Sequence, residues 1–270
     1  MVVCMIGEGG STGRQTLTLR IDDGVATLTL DRADRLNAMN LAMRHDLQAV
    51  LAGLTAEPPD ALIITGSGRA FCVGGDIDEF VTRTPAEAHA AMAQVSHVWF
   101  RSLWQLPCPV IAAVNGVAAG GGLSMALAAD IVYASPSAQF SCDFRSIGLA
   151  ADLGALFLLP RLVGLRRSQE LTLTGRRVGA QEAYQLGMIT SVVPAEELLA
   201  RAAATARELQ AAPALALAAT KRLLQRSYES SMDQMLAHEL YAQAFLFGSQ
   251  QHRARLQAFL GRRTPPEPDH

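Results

Sequence analysis

Apolar and polar residues alternate through two runs near the start of the chain, Thr16–Ile21 and Val25–Leu30, on either side of Asp22-Asp23-Gly24. Period two marks half-buried strands and Asp-Gly favours a tight turn, so this stretch predicts a β-hairpin. Over about Asn40–Leu54 the period lengthens to that of an amphipathic helix. Ala61–Thr65 reads as a buried strand running into Gly66-Ser67-Gly68, and a long helical segment follows at Ala86–Leu106. Val110–Val114 is another apolar strand, opening into Asn115-Gly116 and then Gly120-Gly121-Gly122. Leu123–Ala129 is helical and Asp130–Ala134 returns to strand. The recurring order of strand, glycine-rich turn and helix predicts an α/β chain with interior sheets. From about Glu196 the pattern is almost wholly helical, with Ala-rich segments such as Ala211–Arg226, so a helical layer begins near 195–210. The expected division is a flexible leader over 1–14, an α/β core over 15–200, a helical region over 201–262 and a disordered tail over 263–270.

Composition narrows the class. With 270 residues, half of them hydrophobic, the chain can bury a sizeable core. A formal charge of −2 lacks the basic footprint of a nucleic-acid binder. Cys4, Cys72, Cys108 and Cys142 show neither metal-ligand spacing nor a paired framework, so no metal site is expected. No secretory leader and no apolar run of membrane-spanning length are evident, and the expectation is a cytoplasmic protein with no membrane partner. Gly9, Ser11 and Gly13 match the nucleophile-elbow pattern, but no strand-to-helix setting surrounds them and they are set aside.

Two glycine turns carry the chemistry. Ala70-Phe71-Cys72-Val73-Gly74-Gly75-Asp76-Ile77 and Asn115-Gly116-Val117-Ala118-Ala119-Gly120-Gly121-Gly122-Leu123 each follow a predicted strand and precede a predicted helix. Glycine there lets a ligand approach the backbone, and the helix start leaves N–H groups free. Two such turns facing one oxygen make an oxyanion hole without any side chain, as a thioester needs when its α-carbon loses a proton. A dinucleotide fingerprint is the competing reading of Gly120–Gly122, but Met125 stands where the third glycine belongs. Either cluster alone is equally a tight-packing turn.

Pro109–Ser135, PVIAAVNGVAAGGGLSMALAADIVYAS, resembles the signature of the crotonase (enoyl-CoA hydratase/isomerase) superfamily. Ile64–Ile77 resembles that family's first oxyanion segment, Asp31–Asn40 its CoA-contacting segment and Leu173–Pro194 a later common stretch. The resemblance spans roughly residues 15–260. It implies a spiral of ββα units followed by a helical C-terminal trimerisation region, assembling as a homotrimer or a dimer of trimers. It implies oxyanion donors at the amides of Gly75 and Gly121, and CoA contacts from Arg35, Leu36, Ala38, Gly75, Asp76 and Ile77. Coenzyme A would be part of an acyl-CoA substrate, with no separate cofactor.

Reaction type rests on acids and bases, which vary on one fold. The two positions that carry glutamates in the family's hydratases hold Ser124 and Phe144, the latter then counted with the acyl-binding residues. Asp152, in GLAADLG, resembles the aspartate of the isomerase branches; desolvation near an acyl pocket would make it a better base. Standing before LGALFLL, it also reads as a helix N-cap. Asp143 sits one residue off the family position and reads as structural or solvent-facing. His97, aligned with Ala93, Phe100 and Trp104 at helical spacing, reads as a packed or partly exposed residue. Its place also resembles the histidine of aroyl-CoA dehalogenases, which would pair with Asp152, although Phe144 replaces their tryptophan. The expectation is double-bond isomerisation with Asp152 as base. The alternatives are a dehalogenase-like hydrolysis using Asp152 and His97, or a catalytically silent acyl-CoA binder.

Overall fold

A computed structural model describes residues 2–4 and 16–261. β2 (Leu17–Asp22) and β3 (Val25–Leu30) pair antiparallel with Asp22 opposite Val25. Asp23 and Gly24 between them both take positive φ, the twist that a two-residue hairpin requires. β1 (Val2–Cys4), inside the stretch read as a leader, pairs antiparallel with β2 at the sheet edge. The rest of that stretch, with Gly9, Ser11 and Gly13, and the tail 263–270 lie outside the described residues. Asn40 caps α1 (Leu41–Ala56) by accepting from the Met43 N–H at 2.9 Å. The helix buries Met43, Leu47, Val50, Leu51 and Leu54.

Three ββα units follow. In the first, β4 (Ala61–Gly66) leads to β5 (Ala70–Cys72) and a long helix built of α2 (Pro85–Ala91), a π-helical turn (Met92–Ser96) and α3 (His97–Trp104). The second runs β6 (Val110–Val114), β7 (Val117–Ala119), α4 (Gly121–Leu127), and the third β8 (Ile131–Ala134), β9 (Gln139–Ser141), α5 (Ala155–Thr174). Each unit gives its first strand to one sheet and its second to another. β4, β6 and β8 are parallel neighbours in a seven-stranded sheet, and β5, β7 and β9 in a four-stranded one. β10 (Val178–Gly179) closes the smaller sheet; α6 (Ala180–Gln185) leads to β11 (Ser191–Val192), which ends the larger. α7 (Leu198–Gln210) lays Leu198, Ala202 and Ala206 on Ile63, Ile111 and Tyr133.

The helix expected at Ala86–Leu106 is interrupted by the π turn, and the one expected at Leu123–Ala129 starts two residues earlier, because Gly120 turns the chain straight into it. Residues 1–209 and 210–270 form two compact units. The second contains α8 (Ala214–Arg226), α9 (Met232–Phe247) and α10 (Gln250–Gly261), all helix.

Candidate active site

The parallel pairing of β5 with β7 carries both glycine turns to one edge of the smaller sheet. Asn115 locks the two crossings together: its Oδ1 accepts from the Gly66 N–H at 3.2 Å, and its Nδ2 donates to the Gly68 carbonyl at 3.0 Å. Gly74 has φ +93°, and a Cβ there would lie 2.9 Å from the Ala119 oxygen and 3.2 Å from the Gly121 nitrogen. Only glycine lets the turns touch in this way. A Cβ on Gly122 would stand 2.0 Å from the Cys72 carbonyl, so α4 starts with its backbone against β5.

The direction of the Gly75 N–H follows from its neighbours. The Met39 N–H donates to the Gly74 carbonyl at 2.7 Å, and the Met39 carbonyl accepts from the Asp76 N–H at 3.1 Å. In the trans Gly74–Gly75 peptide the N–H points opposite to the carbonyl, hence away from Met39. Gly121 is the first residue of α4, whose opening N–H groups have no intrahelical acceptor. Among the described residues neither the Gly75 nor the Gly121 N–H donates to the protein. The amides of Gly75 and Gly121 thus stand unpartnered on touching turns.

The segment with Arg35, Leu36 and Ala38 runs beside the first turn. Asn37, fully buried at φ +58°, donates through Nδ2 to the carbonyls of Ser67 and Ala70, and the Leu36 carbonyl accepts from the Val73 N–H at 3.2 Å. Arg35 is exposed and pairs with Asp78 at 2.9 Å, and Ala38 is buried. The Asp76 carboxylate is held by Arg32 at 2.8 Å, and its backbone is engaged as well, the carbonyl accepting from the Glu79 N–H at 3.2 Å. Ile77 is exposed beside it.

Asp152 is partly buried, and burial raises its pKa above the ordinary value, against the opposing pull of Arg44 and His97. It does not cap α5, because Gly154 occupies the N-cap position and the Asp152 carboxylate accepts no cap hydrogen bond. The helix therefore does not hold the carboxylate ionised. Leu153, in the left-handed region at φ +46°, turns the chain so that its Cδ1 lies 3.0 Å from where a Cβ would stand on Gly121. Leu153 thus places Asp152 and the Gly121 turn on either side of one residue. Ser124 donates its hydroxyl to the Asp152 carbonyl at 3.1 Å, and the Phe144 ring lies 3.7 Å from the Cβ position of Gly120. Neither hydratase position supplies a carboxylate. Asp143 packs against Gly175 with Arg145 3.6 Å away, a structural setting. His97 is exposed at the start of α3 and acts on Asp152 only through space. The Cys72 thiol accepts from the Gly74 N–H at 3.4 Å, and burial pushes its pKa up to about 12, which makes it inert beside the turn.

Two residues of this neighbourhood escape sequence reasoning. Arg44 lies inside the apolar stripe of α1 yet is 5% exposed, with Nη2 donating to the Met39 carbonyl at 2.8 Å. Phe80 reaches back so that its ring would meet a Cβ on Gly75 at 2.5 Å. Among the described residues no group of three or more His, Cys, Asp or Glu side chains could hold a metal ion. No helix there is long and apolar enough to cross a membrane.

The family model described as enoyl-CoA hydratase/isomerase matches residues 20–268. A Rhodobacter capsulatus protein named "Probable enoyl-CoA hydratase" is 38% identical, with 93% of this chain and 96% of that one covered. The 1,2-epoxyphenylacetyl-CoA isomerase of Escherichia coli is 36% identical over 91% of this chain and 95% of its own. A 4-chlorobenzoyl coenzyme A dehalogenase of Arthrobacter is 34% identical over 81% and 80%. The crystal structure of enoyl-CoA hydratase from Bacillus anthracis superposes with a TM-score of 0.88 at 31% identity, covering 93% of this chain and 98% of that one.

Proposed function

The chain belongs to the enoyl-CoA hydratase/isomerase family, and on that premise we propose that it moves a double bond along an acyl-CoA thioester, with Asp152 as the proton carrier. The observation that carries this reading is a single partly buried carboxylate of raised pKa, walled against the Gly121 amide by Leu153, where Ser124 and Phe144 take the other acid positions. The thioester oxygen accepts from the Gly75 and Gly121 N–H groups. Asp152 takes a proton from the α-carbon of a 3-enoyl thioester, the C–H electron pair forms a double bond to the carbonyl carbon as the C=O pair moves onto the oxygen, and a dienolate conjugated with the existing double bond forms. Asp152, its proton open to exchange with solvent, then protonates the γ-carbon as the oxygen's electron pair returns through the conjugated system, leaving the bond shifted and no net change in redox state. An oxyanion donor of this kind is worth about 3–4 kcal/mol of barrier. Coenzyme A enters and leaves as part of the substrate, its backbone contacts lying along Arg35–Ala38 and Gly75–Ile77.

The test is incubation with a 3-enoyl-CoA in D₂O followed by mass spectrometry. Solvent deuterium at the α or γ carbon with no added water is expected, whereas hydrated product defeats the proposal. Asp152→Asn is expected to abolish turnover while acyl-CoA still binds; unchanged turnover removes Asp152 from the mechanism. One observation favours a second reading, hydrolytic dehalogenation of an aroyl-CoA: His97 acts electrostatically on Asp152. Halide release, lost in His97→Gln, would select it.

A further inference from the structure

A guanidinium buried on an apolar helix face is costly unless its charge is paired and its donors are used. Arg44 meets neither condition fully. It has five N–H donors, yet among the described residues its one hydrogen bond runs from Nη2 to the Met39 carbonyl. Among the described residues no carboxylate forms an ion pair with it; Glu79, Asp152 and Asp76 attract it, and Arg83 repels it, only through space. The guanidinium carbon lies 5.8 Å from the centroid of the Phe80 ring, a cation–π contact that brings no neutralising charge. Burial accordingly lowers the Arg44 pKa, yet a guanidinium stays charged in a protein. The arrangement leaves positive charge over, and its place is specific. Nη2 lies 3.2 Å from the Cβ position of Gly75, on the turn that presents the free amide.

The single bond it makes is equally specific. Met39 is the residue whose N–H holds the Gly74 carbonyl and whose carbonyl holds the Asp76 N–H. Arg44 therefore grips the backbone that brackets Gly75 on both sides. We propose that Arg44 is a positioning residue of this site: through Met39 it fixes the direction of the Gly75 N–H, and its uncompensated charge favours the negative forms of both Asp152 and the thioester oxygen. The inference rests on the assignment of Asp152 and Gly75 made above.

The charged and titratable groups facing Asp152 are Arg44 from α1, His97 from α3 and the thiol of Cys142 after β9. Arg44 outranks His97 in its pull on the carboxyl. Removing its charge therefore makes Asp152 harder to ionise, and the acid limb of the kcat/KM profile must move to higher pH. Two variants separate the two duties. Arg44→Gln keeps an amide donor for the Met39 carbonyl but no charge, so its limb is expected to move up. Arg44→Lys keeps the charge but not the fixed fork of donors. Its limb is expected to stay while kcat drops about 10- to 100-fold, the usual scale for a misplaced catalytic group.

Both are assayed on a 3-enoyl-CoA across pH, with Asp152→Asn alongside. A folded Arg44→Gln whose limb coincides with wild type overturns the charge role, and wild-type kcat in Arg44→Lys overturns the positioning role. If Arg44→Gln fails to fold, Arg44→Lys decides alone: reduced kcat on an unmoved limb supports the proposal, and wild-type kcat or a moved limb ends it. If Asp152→Asn turns over with the wild-type profile, the base assignment has failed and this inference falls with it. If Asp152→Asn is silent and the Arg44 variants behave as wild type, Arg44 alone is wrong.

Discussion

Ser124 occupies a position where a hydratase would carry an acid, yet it has its own duty. Its hydroxyl ties the Asp152 carbonyl to α4 at 3.1 Å, inside a site where Ser124 is fully buried. Ser124→Ala removes that donor and leaves the Asp152 carbonyl with only the Ala155 N–H at 3.0 Å, at a cost of about 0.5–1.5 kcal/mol. A lower Tm and a fall in kcat larger than any change in KM are expected; an unaltered kcat would reduce the bond to packing. Asp152 itself should carry a stability cost. Its pKa is raised in the folded chain, so the folded state holds the proton more tightly than the unfolded one. The stability this contributes is complete below the ordinary aspartate range and is lost as pH rises through the raised pKa. Asp152→Asn should therefore melt higher than wild type at neutral pH, with the gap closing in acid. Activity has the opposite sign: kcat/KM falls as pH drops through the same pKa, at a limb above the ordinary carboxylate range. Thermal melts and rate profiles on one buffer series check both.

Elements show which parts of this site a sequence can disclose. β3, β4, β6 and α1 were legible because each has one apolar period and a local stop, such as Asn40 or the Asp23-Gly24 turn. The short strands β5, β7 and β9 were not, since three residues hold no period; they exist because the smaller sheet pairs them in parallel across long sequence separations. The same holds within the site. Gly75, Gly121 and Asp152 stood out by local motif, but Arg44 read as one more position on a helix face, and the Ser124–Asp152 bond spans 28 residues. α4 is the element on which the arrangement depends most narrowly. Its start lies so close to β5 that a methyl on Gly122 would overlap the Cys72 carbonyl, and overpacking of this kind costs about 1–3 kcal/mol or more. Gly122→Ala should shift α4 off the smaller sheet, lowering Tm and removing activity together. Wild-type turnover in that variant would show that the hole tolerates a displaced Gly121.

At the scale of the molecule, the described helices of the unit spanning 210–270 leave much of their apolar surface open. Neither α8 nor α9 contains a buried residue, while Met232, Leu236 and Leu240 follow one another at helical spacing on α9, 74%, 54% and 67% exposed. Leu256, Phe259 and Leu260 on α10 are likewise open to solvent. Contiguous apolar surface of this kind marks an association face. Fixing each described residue of this unit costs about 1–2 kcal/mol in backbone entropy, which burial must offset. We take the occupant to be further copies of the chain, assembled as the trimer that the sequence resemblance implies. Each fully covered leucine or methionine contributes about 1.5–3 kcal/mol, so the stripe on α9 alone can tie assembly to folding. Sedimentation at micromolar concentration should therefore find trimers or pairs of trimers. Leu236→Glu with Leu240→Glu should release monomers whose Tm is lower and depends no longer on concentration. A wild-type chain that sediments as a well-folded monomer would leave those helices unexplained and refute self-association as their cover.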